Sequence, residues 1–454
     1  MTAALPVPRR ILLVGGGGRE HALAWRLAGE DGVEEILAIP GSAGLATLPG
    51  VSVDGSVRAT DSAAVAAAAL VFGADLVVVG PEAPLAAGVS DAVARAGIPV
   101  FGPSAAAARI ESSKAFCHEI GEAAGIPMAR ARAFAALEPA RAYAAELARA
   151  GDGVVIKADG LAAGKGVTVC DDVARADEAL AAVFADGDDP GGAPRVVVEE
   201  RLRGPEASVI ALCDGTGALA LPAARDHKRL GDGDTGPNTG GMGAYSPLPD
   251  VDDALVAEVL GRFHRPALAE LARRGLPFRG ALYAGLILTA DRGAVLLEFN
   301  ARLGDPETQA ILPRLAVPLA PLLLAAAHGA LHPAVGAPRF PGDVLPATPQ
   351  AAVAIVLASR DYPAAPSAGD AIQGLDAAAA TGALVFHAGT RRAADGAWET
   401  DGGRVLAVVG RGADVNAARD AAERAADLIS FSGLQRRRDV AAGDPAGVAR
   451  GAVR

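Results

Sequence analysis

Val154-Val155-Ile156-Lys157-Ala158-Asp159-Gly160-Leu161-Ala162-Ala163-Gly164-Lys165-Gly166-Val167 is the stretch on which the reading of this chain turns. The β-branched run at its start favours a strand that ends in one lysine, and three glycines then surround a second lysine in a flexible loop. Two ammonium groups on a mobile lobe suit the phosphates of ATP. Glycines let the backbone come close to those phosphates, and closing the loop would exclude water from a reactive phosphorylated intermediate. A hairpin with solvated lysines is the plain alternative, but it leaves both lysines and all three glycines without a use. The spacing differs from the Gly-x-x-x-x-Gly-Lys-Ser/Thr phosphate loop.

Upstream, residues 10–14 form an apolar strand that runs into Gly15-Gly16-Gly17-Gly18, followed by a helix over 19–28 with Leu23 and Leu27 on one face. Further strands are expected at 35–39, 75–79 and 98–101, with helices at 63–71 and 86–96, which makes a parallel α/β unit. The glycine turn suits phosphate binding at a helix N-terminus. A tight structural turn and a dinucleotide site are its alternatives, although Ala38-Ile39-Pro40 ends the second strand without an acidic residue.

A second domain begins near 103. It holds a helix over 112–122, an alanine-rich helix near 139–150, a small glycine-rich lobe, and sheet strands at 195–200, 207–212, 281–289 and 294–300. Proline-rich 333–349 reads as a linker. Beyond it lie strands at 352–357, 383–386 and 405–409 and a helix over 414–428. The expected domains are 1–102, 103–335 with a small lid lobe at about 125–193, and 350–454.

The chain has 454 residues, enough for about three domains at roughly 150 residues each. A net charge of -11 argues against nucleic acid as a partner. No apolar run is long enough for a membrane span, and the N-terminal apolar run stops at glycines and then Arg19 and Glu20, as a strand rather than a signal peptide would. Cys117, Cys170 and Cys213 lie far apart and outside any CxxC pattern, so reduced thiols in a cytoplasmic enzyme are expected.

Glu298 and Asn300 in Leu296-Leu297-Glu298-Phe299-Asn300 are two apart on a strand and so share a face, with Leu297 and Phe299 on the other. Two oxygen donors at one spot fit a Mg²⁺ that takes its remaining ligands from nucleotide phosphates and water. A polar face on an amphipathic strand is the common alternative. Asp226-His227-Lys228-Arg229 and the following run 236–245 carry too many glycines and cations for a core strand and suit anion recognition. Arg302 can fork onto a carboxylate or phosphate.

Gly-Gly-Arg-Glu-His-Ala at 17–22, Val-Gly-Pro-Glu-Ala-Pro-Leu at 79–85, Lys-Ala-Asp-Gly-Leu-Ala-Ala-Gly-Lys-Gly at 157–166, Asp226 to Arg229, and Gly-Pro-Asn-Thr-Gly-Gly-Met-Gly-Ala-Tyr-Ser-Pro at 236–247 together resemble the phosphoribosylamine-glycine ligase family. Residues 298–309 extend the resemblance, which runs from 10 to about 440 in the expected order. It implies an α/β and α+β multidomain chain with an ATP-grasp fold, an N-terminal parallel α/β domain and a C-terminal α/β domain. The implied reaction joins glycine to 5-phosphoribosylamine at the expense of ATP, with Mg²⁺ or Mn²⁺, in a monomer or weak dimer.

Residue by residue, the resemblance implies Lys114, Lys157 and Lys165 on ATP phosphates, Glu199 and Glu200 at the adenine hinge, and Glu206 at the ribose. Glu298 and Asn300 would hold the metal. Gly17, Glu20, Pro81, Glu82, Asp226, Lys228, Asn238, Gly240 and Arg302 would line the substrate pocket, with Lys157, Lys165, Asp226 and Arg302 acting in catalysis. Leu303 and Arg436 depart from the aromatic and tyrosine usual at those places. A nicotinamide oxidoreductase, a related ATP-grasp carboxylase or ligase, and a non-enzymatic nucleotide-binding module are the rival readings. Lys165→Ala is expected to raise the ATP concentration for half-maximal turnover about tenfold. Initial rates across an ATP series check this, and an unchanged ATP dependence would remove Lys165 from the site.

Overall fold

A computed structural model describes residues 5–161, 166–185, 195–331 and 340–442. Its N-terminal sheet is wholly parallel, in the order Val51–Val53, Glu35–Pro40, Arg10–Gly15, Leu76–Val79, Val100–Phe101. Ile11, Leu12, Leu13 and Val14 are fully buried, as a strand covered on both faces requires. The strand order reverses beside Arg10–Gly15, which opens a crevice at the carboxyl ends of that strand and of Leu76–Val79. Gly16, Gly17, Pro81 and Glu82 follow those two ends. The single helix expected at 86–96 is instead two, Glu82–Ala86 and Val89–Arg95, because Gly88 adopts φ +78° between them.

Two four-stranded sheets come next. The smaller runs in the order Ala131–Phe134, Val196–Glu200, Val154–Ala158, Val167–Cys170, all antiparallel, and helices Leu137–Ala150 and Val173–Val183 bury Tyr143, Leu147 and Leu180 against it. Val196–Glu200, read from the sequence among the body strands, is therefore an inner strand of the small lobe. The body sheet runs Ala218–Ala220, Glu206–Asp214, Arg279–Thr289, Gly293–Asn300, again antiparallel. A bridge between Met128 and Leu296 ties lobe to body.

The C-terminal sheet draws on two distant parts of the chain, in the order Arg225–Asp226, Gly243–Ser246, Ala351–Ala358, Arg404–Gly412, Leu384–His387. The run 236–245, expected to be a polar loop throughout, thus ends in a buried strand. Gly243 permits this, since a Cβ there would stand 2.7 Å from Val440 and 2.8 Å from the Ala354 carbonyl oxygen. The expected linker at 333–349 lies partly outside the described residues. Its described end packs, with the Leu345 N–H donating to the Ala220 carbonyl at 2.8 Å. Among the described residues no helix is long and apolar enough to cross a membrane, and the three cysteines are free and buried.

The N-terminal helix Gly18–Ala28 meets the C-terminal sheet through two histidines. The His21 and His387 rings stack with centroids 5.5 Å apart, and the His387 N–H donates to His21 Nδ1 at 3.0 Å. Burial, reinforced by His387, lowers His21 to about 3, and burial, reinforced by Arg392, lowers His387 to about 4. Below the ordinary histidine value of 6.5 the unfolded chain takes up protons that the folded rings refuse, so these rings subtract stability as pH falls from 6.5 towards 4. At pH 5 the loss is on the order of 2 kcal/mol per ring. Thermal unfolding at pH 7 and pH 5 is expected to show a smaller drop in midpoint for His387→Gln than for the wild type. An equal drop would mean that the pair does not govern the acid response.

Candidate active site

One cleft of about 1280 Å³ lies where the four sheets meet, and every proposed site residue among the described ones lines it. Lys165 lies outside the described residues.

At its centre the Asn300 side-chain amide donates to Glu298 Oε1 at 3.3 Å, so the two oxygen-bearing side chains do converge. The simple alternation expected across this strand fails one residue earlier. The register slips between Gly285 and Leu286, leaving Leu297 as an extra residue opposite no partner. Leu297 consequently lines the cleft, and its carbonyl accepts from Lys157 Nζ at 2.7 Å. Burial opposes ionisation of Glu298, but Lys157, Lys228 and Lys114 outweigh it and hold the carboxyl below its ordinary value.

Lys157 is buried and pairs with Glu199 Oε2 at 2.8 Å, while Glu199 Oε1 is 2.7 Å from His118 Nε2. Burial would lower the Lys157 pKa, yet the carboxylates of Glu199 and Glu298 together raise it. Both Glu199 oxygens are therefore engaged beneath the cleft. Glu200 turns the other way, accepting from the Arg130 N–H at 2.9 Å and from Arg292 at 2.8 Å, which ties the end of this lobe strand to the body. Lys114 Nζ donates to the Gly160 carbonyl at 3.1 Å and so meets the start of the glycine loop.

Across the cleft Lys228 contacts Glu206 and lies 3.7 Å from Asp226. Burial drives the Asp226 carboxyl far above the usual carboxylate range; Lys228 opposes the shift, and Glu307 and Glu206 add to it. Arg302 stands 3.2 Å from Glu111 and 3.5 Å from Glu82. Leu303 is buried, and its carbonyl accepts from both Arg19 and Arg302 at 3.1 Å, so the site uses the backbone of this position. Arg436 is buried against Glu423 and Asp427, away from these groups.

Glu20 Oε2 accepts from the Gly17 N–H at 2.8 Å and Oε1 from Arg19 at 2.6 Å, so a carboxylate of the chain itself caps the helix where phosphate was expected. A Cβ on Gly80 would fall 2.1 Å from Glu20 Oε1, and one on Gly15 2.6 Å from its Cγ. The glycines thus make room for Glu20.

Glu111, His118, Tyr362 and Arg404 escaped the sequence reading. His118 stands four residues after Lys114 on the helix Lys114–Ala123, a spacing that puts both on one face and could have exposed it. Arg404 donates to the Asp305 carbonyl at 2.7 Å, and Tyr362 Oη accepts from the Gly240 N–H at 2.9 Å. Neither has a local motif, because each reaches the cleft from the C-terminal sheet region.

Family models described as the N domain, the ATP-grasp (A) domain and the C domain of phosphoribosylglycinamide synthetase match residues 9–111, 112–308 and 352–443. The chain is 50% identical to a phosphoribosylamine--glycine ligase of Streptomyces coelicolor over 438 residues, 95% of this chain and 99% of that protein. It is 46% identical to one of Phenylobacterium zucineum, covering 93% and 96%. The crystal structure of the Thermotoga maritima phosphoribosylamine--glycine ligase is similar with a TM-score of 0.75 at 31% identity, covering 95% and 99%. A biotin carboxylase domain from Hydrogenobacter thermophilus shares the fold, with a TM-score of 0.67 at 16% identity and coverage of 95% and 92%. The strand order, the two-lobed centre and these matches agree: the fold is ATP-grasp, and the chain belongs to the phosphoribosylglycinamide synthetase family.

Proposed function

We infer that the chain joins glycine to 5-phosphoribosylamine with conversion of ATP to ADP and phosphate, giving glycinamide ribonucleotide for purine biosynthesis. The observation that carries this reading is the meeting in one cleft of the Glu298/Asn300 pair, Lys114, Lys157 of the small lobe, and residues of the 226–240 loop, with the family match over most of the chain.

Glycine's carboxylate cannot expel oxide, so it needs activation. A carboxylate oxygen attacks the γ-phosphorus of ATP, the bond to the β-bridging oxygen breaks, and ADP leaves glycyl phosphate behind. The uncharged amine of phosphoribosylamine then attacks the acyl carbon, phosphate departs, and the amine's proton is lost. Asp226, whose burial raises its proton affinity, takes that proton. Arg302, charged between Glu82 and Glu111, orients the substrate anions. Lys114 and Lys157, with Lys165, stabilise the phosphate charge, and Glu206 meets the ribose once Lys228 releases it.

Glu298, held ionised by three lysines, and the adjacent Asn300 form a donor set suited to Mg²⁺ or Mn²⁺. Among the described residues no group of three or more histidine, cysteine, aspartate or glutamate side chains could hold a metal. An ion at Glu298 and Asn300 would neutralise charge on the phosphates being transferred.

ADP release with ATP, Mg²⁺ and glycine, with and without phosphoribosylamine generated in place, is the decisive assay. ADP formed only with all substrates, together with a glycine-bearing ribonucleotide, is expected; its absence from folded protein would overturn the assignment. Glu298→Gln is expected to lower kcat by about 1000-fold at saturating Mg²⁺ while leaving the thermal unfolding midpoint nearly unchanged. Near-normal turnover would remove Glu298 from the metal site.

A further inference from the structure

The hairpin formed by Arg229–Gly231 and Thr235–Asn238 carries the substrate-facing end of the 226–240 loop, yet it is a sheet of two strands on its own. A lone two-stranded hairpin is marginal in water, so something else must fix its position. Its turn is largely exposed, and Asp234 takes φ +55° there.

The last described segment of the chain supplies the fixing. Arg437, 1% exposed, donates to Asp439 through Nε at 2.7 Å and Nη2 at 2.6 Å, and its Nη1 reaches Asp234 at 2.6 Å and the Arg229 carbonyl at 3.3 Å. One guanidinium therefore links both ends of the hairpin to the C-terminal segment. Asp439 also accepts from the Gly233 N–H at 2.8 Å, and the Arg438 N–H donates to Asp232 at 2.8 Å. Past the hairpin, the Ala441 N–H donates to His227 Nε2 at 3.1 Å. Arg437, Asp439 and Ala441 line the same cleft as Lys228 and Asn238. Partial burial raises the Asp439 carboxyl, but Arg437 and the Gly233 N–H outweigh it and drive it well below the usual range, so the clamp is a true ion pair at neutral pH.

We propose that residues 437–441 are a positioning element for the phosphoribosylamine side of the reaction, holding the hairpin so that Lys228 and Asn238 face the sugar phosphate. This rests on the assignment of the 226–240 loop to that substrate. Arg437 itself touches no reacting atom; it acts through the hairpin, and lysine, a single point charge, cannot span two carboxylates and a carbonyl.

The test compares Asp439→Asn and Asp234→Asn, of which Asp234 is mostly exposed and leaves the fold intact, with Asn238→Ala in the hairpin itself. Steady-state KM is measured for phosphoribosylamine, glycine and ATP, with kcat and the unfolding midpoint. The clamp variants are expected to raise KM for phosphoribosylamine about tenfold, the equivalent of one charge-assisted hydrogen bond, with KM for ATP and kcat within about twofold of wild type. If Asn238→Ala raises that KM and neither clamp variant does, the clamp proposal fails. If Asn238→Ala leaves it unchanged as well, the assignment of the loop to this substrate fails first. Equal rises in all three KM values would mark the segment as generally structural and overturn the proposal.

Discussion

The arrangement of this molecule depends on one buried ion pair. Lys157 and Glu199 belong to neighbouring strands of the small lobe, but Lys157 also donates to Leu297 in the body sheet and Glu199 bonds His118 on the intervening helix. Three elements are thereby aligned through two side chains withdrawn from water. Removing one member of such a pair leaves the other charge buried alone, a cost of about 3–5 kcal/mol. The Lys157 ammonium is thus held in one orientation at the cleft by the chain itself.

Much of this was legible in the sequence because the decisive segments are locally consistent. The apolar runs at Arg10–Gly15 and Leu76–Val79 could only be buried strands, and the alternation at Glu298 and Asn300 survives in the structure. What was not legible depends on partners far away in the chain. Nothing local distinguishes Val196–Glu200 as a lobe strand from a body strand, since both environments reward the same valines. The three-residue strand Val51–Val53 is too short and too exposed to show a period. The slip at Leu297 is seen only in its register against Gly285 and Leu286 of the facing strand, which the local sequence does not carry.

The glycine turn shows how a chain can supply an anion of its own at a helix N-terminus. Four consecutive glycines after a strand suggested an anion at the helix N-terminus, and an anion is there, but Glu20 of the same helix provides it. Gly15 and Gly80 matter because of what stands against them, a carboxylate in near contact with both backbones. The rest of the crevice is then available to groups that tolerate a neutralised Arg19–Glu20 pair, whose side chains are both buried.

The C-terminal sheet has a consequence for how the molecule is made. Its strand Arg225–Asp226 pairs with Gly243–Ser246, which pairs with Ala351–Ala358, and that strand in turn pairs with Arg404–Gly412. On the ribosome the first two emerge more than a hundred residues ahead of Ala351–Ala358, with the far edge of Gly243–Ser246 unsatisfied, so this wall of the cleft closes only once residues 351–412 have been made. The nascent chain can thus form its small lobe and body sheet early and its C-terminal sheet late, and a ribosome that stalls before residue 412 leaves a product without that wall.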